Sequence, residues 1–166
     1  MEYNFVQDLE IVLELTGFYC GESLEQSAMF VATYPDSSLY MLRFDRSGLV
    51  GKEFGVSSDW VLLIAYFRKR LREYADSVVI RELVKQVDGV DYIMAPIADN
   101  RMFEIIDQFI DGEITDEQCR HCLSATNLGQ QYVFLTEKAL RQVRLLERCY
   151  LTTAEKEKQK PDGINR

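Results

Sequence analysis

The sequence predicts one α+β domain. Reciprocal Ser/Thr-x-x-Gln signatures stand at Ser23-Leu24-Glu25-Gln26 and Thr115-Asp116-Glu117-Gln118, and each such box satisfies backbone N–H groups left free at a helix start. Between the helical stretches lie short aromatic and β-branched runs, Leu39 to Phe44 and Gln131 to Leu135, that read as strands. The two kinds of element alternate without internal repeats, and 166 residues with 47% apolar content are enough for one core without staples. The domain is expected over residues 1–153.

Taken in order, Ser23 opens a helix that runs to about Thr33 and stops before Tyr34-Pro35-Asp36, because the residue preceding a proline is pushed out of the helical region. Leu39 to Phe44 forms a strand, turned at Asp45 to Gly48, with a short extended piece near Leu49 to Phe54. Ser57-Ser58-Asp59 starts the most regular helix, with Trp60, Leu63, Ile64, Phe67, Leu71 and Tyr74 at helical spacing on one apolar face. Ser77 to Val87 suggests another helix, and Val90 to Ile97 a buried strand ending at Pro96. Met102, Phe103, Ile105, Ile106, Phe109 and Ile110 make the apolar face of a helix ended by Asp111-Gly112. Thr115 caps the next helix, Gln131 to Leu135 follows as a strand, and Thr136 caps a helix with Glu137 in its first turn. Beyond Arg141 the pattern fits either a continued helix or a strand, and a strand from about Val143 is favoured. Ala154 to Arg166 is Lys/Glu-rich without an apolar face, which predicts a disordered tail.

Charge narrows the function classes. A net charge of −8 argues against a general nucleic-acid or anionic-membrane binder, since both need a positive field to displace counterions. No apolar run is long enough to span a bilayer, and Met1-Glu2-Tyr3-Asn4 opens no signal-peptide pattern, so a cytoplasmic protein is expected.

Cys119-Arg120-His121-Cys122 has a C-x-x-C spacing and the chain's one histidine. A closed zinc site wants four ligands, and the matching half is missing, so no metal is expected. The two cysteines then sit on the Thr115-capped helix as small core or half-buried residues. Arg68, Lys69, Arg70 and Arg72 near the end of their helix complement its macrodipole and read as a solvated face before an anion contact.

Two segments far apart, Gly17-Phe18-Tyr19-Cys20-Gly21-Glu22-Ser23 and Gln130-Gln131-Tyr132-Val133-Phe134-Leu135-Thr136-Glu137-Lys138-Ala139-Leu140, each join a strand to a helix start. With the central Asp91-Tyr92-Ile93-Met94-Ala95-Pro96-Ile97-Ala98-Asp99-Asn100-Arg101 they resemble an uncharacterised bacterial domain family, the domain of unknown function numbered 3990. That family is similar to the ADP-ribosyltransferase superfamily. The resemblance runs from about Gly17 to about Tyr150. It implies a split antiparallel or mixed β-sheet core with flanking helices, and chemistry at the bond joining nicotinamide to ribose in NAD⁺. The oxocarbenium-like transition state of that reaction asks for a flat aromatic surface, polar groups on the ribose hydroxyls and negative or hydrogen-bonding character near the sugar.

By that resemblance Tyr19 takes the central aromatic position, beside Gly17 and Phe18, and Gln131 the later polar position. Both are candidate catalytic residues, and Gly17, Phe18, Asp99, Asn100 and Arg101 join them as cofactor-binding residues. Arg101 would grip a phosphate that Asp99 orients. Each also has a structural reading: Tyr19 as a core tyrosine, Gln131 as a strand-edge amide, Asp99 as a helix cap with Arg101 in solvent. Glu137 would add charge if the fold brought it close. The opening segment, residues 1–16, departs from the family pattern, which begins with a strand bearing a Tyr-His-Gly type motif. Two readings follow: an NAD⁺-using ADP-ribosyltransferase-like enzyme, of toxin or effector type, modifying a macromolecular acceptor; or a catalytically inactive relative acting as a protein-interaction module.

Overall fold

Helix starts and strand runs fall where the caps and apolar patterns place them in the computed structural model, which describes residues 4–6, 18–32, 38–97, 100–126 and 129–149. The strands are β1 (Asn4–Val6), β2 (Phe18–Gly21), β3 (Leu39–Phe44), β4 (Gly51–Glu53), β5 (Tyr92–Pro96), β6 (Gln130–Phe134) and β7 (Val143–Cys149). The helices are α1 (Leu24–Ala32), α2 (Ser58–Phe67), α3 (Val78–Lys85), α4 (Asn100–Ile110), α5 (Asp116–Thr126) and α6 (Glu137–Leu140), with a 3₁₀ turn at Arg72–Tyr74. Gly17, Asp99 and the tail from residue 154 lie outside the described residues, as does most of the opening segment.

The strands make one mixed sheet in the order β4-β5-β6-β2-β1-β3-β7. β4 and β5 run parallel, and the other neighbours are antiparallel. The three-residue β1 alone joins the β4-β5-β6-β2 section to β3 and β7. Three strand spacings separate β3 from β6, which in a flat sheet is about 14 Å. Yet the Phe44 ring on β3 lies 4.7 Å from that of Phe134 on β6 and 5.1 Å from that of Tyr92 on β5, edge-on to both. The sheet therefore folds over at β1, and its two sections face each other.

The pleat of β5 and β6 divides the interior in two. Ile93, Ala95 and Val133 face the helical layer and join Trp60, Leu63, Ile64, Leu83, Met102, Ile106 and Leu123 in the larger core. Their alternates, Tyr132 and Phe134, face β3 and join Cys20, Leu42, Phe44 and Ala139 in the smaller one. Trp60 stacks on Phe54 at the heart of the larger core.

Local chemistry accounts for the boundaries. Ser57, Ser77 and Thr136 accept from the backbone N–H groups of Trp60, Ile80 and Ala139, capping α2, α3 and α6. At α5 the predicted box closes both ways: Gln118 N–H donates to Thr115 Oγ1 at 3.2 Å, and Thr115 N–H to Gln118 Oε1 at 2.9 Å. Cys119 is buried there and Cys122 exposed.

One helix is shorter than its apolar pattern predicts. α2 stops at Phe67, because Lys69 adopts the left-handed conformation (φ 65°). Lys69 N–H donates to Tyr66 O and Arg70 N–H to Ala65 O, both at 2.9 Å, the paired bonds that close a helix. The chain then turns, so Leu71 reaches the core from outside the helix while Tyr74 is 54% exposed. Two members of the basic run are engaged by α4 in this turn. Arg70 pairs with Asp107 at 3.1 Å and Asp111 at 2.8 Å, and Arg68 lies 3.7 Å over the Phe103 ring.

Candidate functional site

Antiparallel pairing of β2 with β6 brings the two distant motifs together. Gly21 stands opposite Gln131, Cys20 opposite Tyr132 and Tyr19 opposite Val133. β6 is also paired on its other side, where Ala95 stands opposite Gln131 and Pro96 opposite Gln130. Gln131 thus lies on an interior strand, and its reading as a strand-edge amide is corrected. Its side chain is half-buried, with Nε2 3.5 Å from Pro96 O.

Three chain ends meet there: the carboxyl ends of β2 and β5 and the amino end of β6. Glu22 N–H donates to Gln130 O at 3.1 Å, and Ile97 N–H to Gly129 O at 2.9 Å. α1 begins from this sheet end under its Ser23 cap, with Gln26 N–H 3.4 Å from Ser23 Oγ. α4 begins at Asn100, three residues beyond Ile97.

Glycine makes this close approach possible. A Cβ on Gly21 would stand 2.6 Å from Ser27 Oγ, and one on Gly129, whose φ is +82°, would overlap the side-chain amide of Gln26. Gln26 of α1 therefore lies directly over Gly129. Two side-chain oxygens at this end, Gln26 Oε1 and Gln130 Oε1, are buried without a hydrogen-bond partner. Such acceptors ordinarily take a hydroxyl, an amide or an ordered water.

Of the sequence-derived candidates, Tyr19 and Gln131 lie on the paired strands β2 and β6, and Asn100 and Arg101 open α4. Phe18 belongs to the opposite pleat and packs beside the smaller core, its ring 6.0 Å from Phe134. Arg101 is exposed. Glu137 follows the far end of β6 and pairs with Arg141 at 2.9 Å, both side chains largely in solvent, so its role is the helix start. His121 is exposed on α5.

At the far end of β5 and β6 stands a second polar cluster that sequence reasoning missed. Asp91 is 7% exposed. Its Oδ2 accepts from Val50 N–H at 2.8 Å and from Lys138 Nζ at 3.1 Å, and its Oδ1 accepts from Thr136 Oγ at 2.8 Å. The Val50 N–H, then the Thr136 hydroxyl and Lys138, hold its carboxyl below the usual carboxylate range. Lys138 also donates to Gly48 O at 2.7 Å, so one carboxylate ties the β3–β4 loop, β5 and α6 together. The available signal was a lone acid beside Val90 at the head of an apolar run. Gln26 and Gln130 were missed because one sits inside a capping box and the other beside a motif glutamine.

Residues 15–145 match the model of a family described as Protein of unknown function (DUF3990). The chain belongs to this family. The match takes in both strand-to-helix segments and the central one, and so the whole of the sheet end built from β2, β5 and β6. Neither the curated proteins nor the solved structures contain a match. No group of three or more His, Cys, Asp or Glu among the described residues is arranged to hold a metal ion, and no described helix is long and apolar enough to cross a membrane.

Proposed function

We propose that this chain is an NAD⁺-using, ADP-ribosyltransferase-like protein that modifies a macromolecular acceptor. The observation that carries the reading is the β2–β6 pairing, which sets Gln131 opposite Gly21 and two register positions from Tyr19, on interior strands and beside the start of α4. Residues 112 positions apart in sequence become neighbours where two helices begin, and helix starts favour the negative charge of a pyrophosphate. The unsatisfied oxygens of Gln26 and Gln130 suit ribose hydroxyls, which are donors.

In this reading Tyr19 offers an aromatic surface to the nicotinamide and Gln131 hydrogen-bonds the nicotinamide ribose, while Gly17 and Phe18 shape the strand. By the resemblance Asp99, Asn100 and Arg101 are further cofactor-binding residues, of which Asn100 and Arg101 open α4. A neutral glutamine orients the ribose but stabilises a cationic sugar less than a carboxylate would, so slow turnover is expected. The protein supplies no step by metal in this scheme.

Calorimetric titration with NAD⁺ tests the proposal. Saturable binding, lost in Tyr19→Ala and weakened in Gln131→Ala, is the expected result, with slow nicotinamide release that Tyr19→Ala abolishes. Absence of binding up to millimolar NAD⁺, about the weakest affinity worth calling specific, would sink it.

One observation favours the second reading, a catalytically inactive interaction module. Two grooves among the described residues lie away from the Gln131 sheet end: one of about 490 Å³ is lined by Leu71, Tyr74, Ile80 and Phe109 and the other by the Arg43 cluster. Failure of NAD⁺ to bind a folded chain would favour it.

A further inference from the structure

A chain of net charge −8 gathers three arginines into one groove. The groove, of about 250 Å³, is lined by Arg43 of β3, Arg141 and Gln142 of the α6–β7 turn, Arg144 of β7, and Asp45. Arg43 and Arg144 stand directly opposite each other in the β3–β7 ladder. Like charges at that register repel and destabilise the strand pair. Among the described residues neither guanidinium has a carboxylate in ion-pair contact; Asp45 accepts the Ser47 N–H at 3.0 Å and lies close enough to both arginines for their charge to lower its pKa, so it offsets only part of their repulsion. Among the described residues Arg141 pairs with the solvent-exposed Glu137, a pair of little worth that an added anion can replace.

The framework of the groove is rigid. Asp45 N–H donates to Gln142 O at 3.2 Å, joining the end of β3 to the turn before β7, and Phe44 between the two lining residues is anchored in the smaller core. The backbone that carries the three exposed arginines is therefore set by contacts that do not depend on a ligand. A carboxylate is satisfied by one bidentate guanidinium, whereas a tetrahedral phosphate offers oxygens to two or three at once.

We infer that the Arg43–Arg141–Arg144 groove is a binding site for the phosphate group of a small soluble ligand, separate from the sheet end at Gln131. It lies past the carboxyl end of β6, while Gln131 stands near the amino end. An anion placed between Arg43 and Arg144 relieves their repulsion, and Asp45 limits the affinity by its own negative charge.

Titration calorimetry of the full chain with inorganic phosphate, in a low-salt phosphate-free buffer, tests the site. Saturable binding is expected, weakened at least about tenfold by Arg43→Gln or Arg144→Gln and tightened by Asp45→Asn. Acetate is expected not to saturate, and NAD⁺ to leave phosphate binding unchanged. Without phosphate, Arg144→Gln is expected to melt no lower than the parent chain, since it removes a repulsion; this separates loss of the site from loss of the fold. The inference is overturned by no saturation at millimolar phosphate, by binding that survives both arginine substitutions, by equal binding of acetate, or by displacement of phosphate by NAD⁺.

Discussion

Adding one methyl group at Gly129 probes the approach of α1 to the sheet end on which the proposed site depends. Two costs follow from the geometry. The left-handed conformation (φ +82°) costs an alanine about 1–2 kcal/mol, and the new Cβ overlaps the Gln26 amide, an overpacking that costs about 1–3 kcal/mol. A lower unfolded-state entropy returns roughly 0.4–1 kcal/mol. Gly129→Ala is therefore expected to lose about 2–4 kcal/mol. Gly112 provides the control, because its φ of +77° is the same problem while nothing stands within 4 Å of its Cβ position. Gly112→Ala should lose only the backbone part, about 1 kcal/mol. In a domain of this size that is a fall in Tm of about 2–4 °C, against roughly 4–16 °C for Gly129→Ala. Urea denaturation of Gly129→Ala, Gln26→Ala and the double variant completes a cycle. Removing Gln26 should rescue about 1–2 kcal/mol of the Gly129→Ala loss. Additive losses, or equal losses at Gly129 and Gly112, would refute the placement of Gln26 over Gly129.

Three further outcomes are expected. Lys69→Gly relieves the left-handed strain at the end of α2 and should raise stability by up to about 1 kcal/mol in urea denaturation; a loss of stability would mean that the lysine side chain matters more than its backbone. Asp91 has its folded-state pKa lowered from the ordinary 3.8, so its contribution is present above that value and is lost as pH falls through the folded pKa. The Tm difference between the parent chain and Asp91→Asn should hold constant from neutral pH down to about 5 and shrink below 3.8, whereas a constant difference across that range would contradict the network. Thiol titration at pH 8 in a Cys149→Ser background should modify Cys122 rapidly, an amplitude that Cys122→Ser removes. Cys20 and Cys119 should react only after unfolding, because burial raises both thiols, that of Cys119 to about 11; prompt labelling of either would show that its core is open.

The two helix ends at Lys69 and Gly112 show what was legible in the chain. Both close with the same pair of backbone bonds, Arg70 N–H to Ala65 O with Lys69 N–H to Tyr66 O, and Glu113 N–H to Gln108 O with Gly112 N–H to Phe109 O. The end at Gly112 was readable because glycine is the residue that adopts positive φ without cost. The end at Lys69 was not, since a lysine in that conformation leaves no mark and the apolar spacing continues through Leu71 and Tyr74. Likewise β3 is readable from Leu39 to Phe44 in its aromatic and apolar content, while β1, three residues long, is too short to show a period.

The same division holds for the sites. Ser57, Ser77, Thr115 and Thr136 act on backbone groups three residues away, so the sequence alone determined where those helices start. It also determined the α+β class, since periodicity of two and of 3.6 is a local property. Strand order is not local. That β6 lies between β5 and β2, making Gln131 interior, and that the sheet folds over at β1 to bring Phe44 against Phe134, depends on pairings across most of the chain. Only the tertiary structure could decide them, because a strand's own residues specify which face is apolar but not which neighbour it pairs with, and a charge such as Arg43 acquires its meaning only when the ladder sets Arg144 opposite.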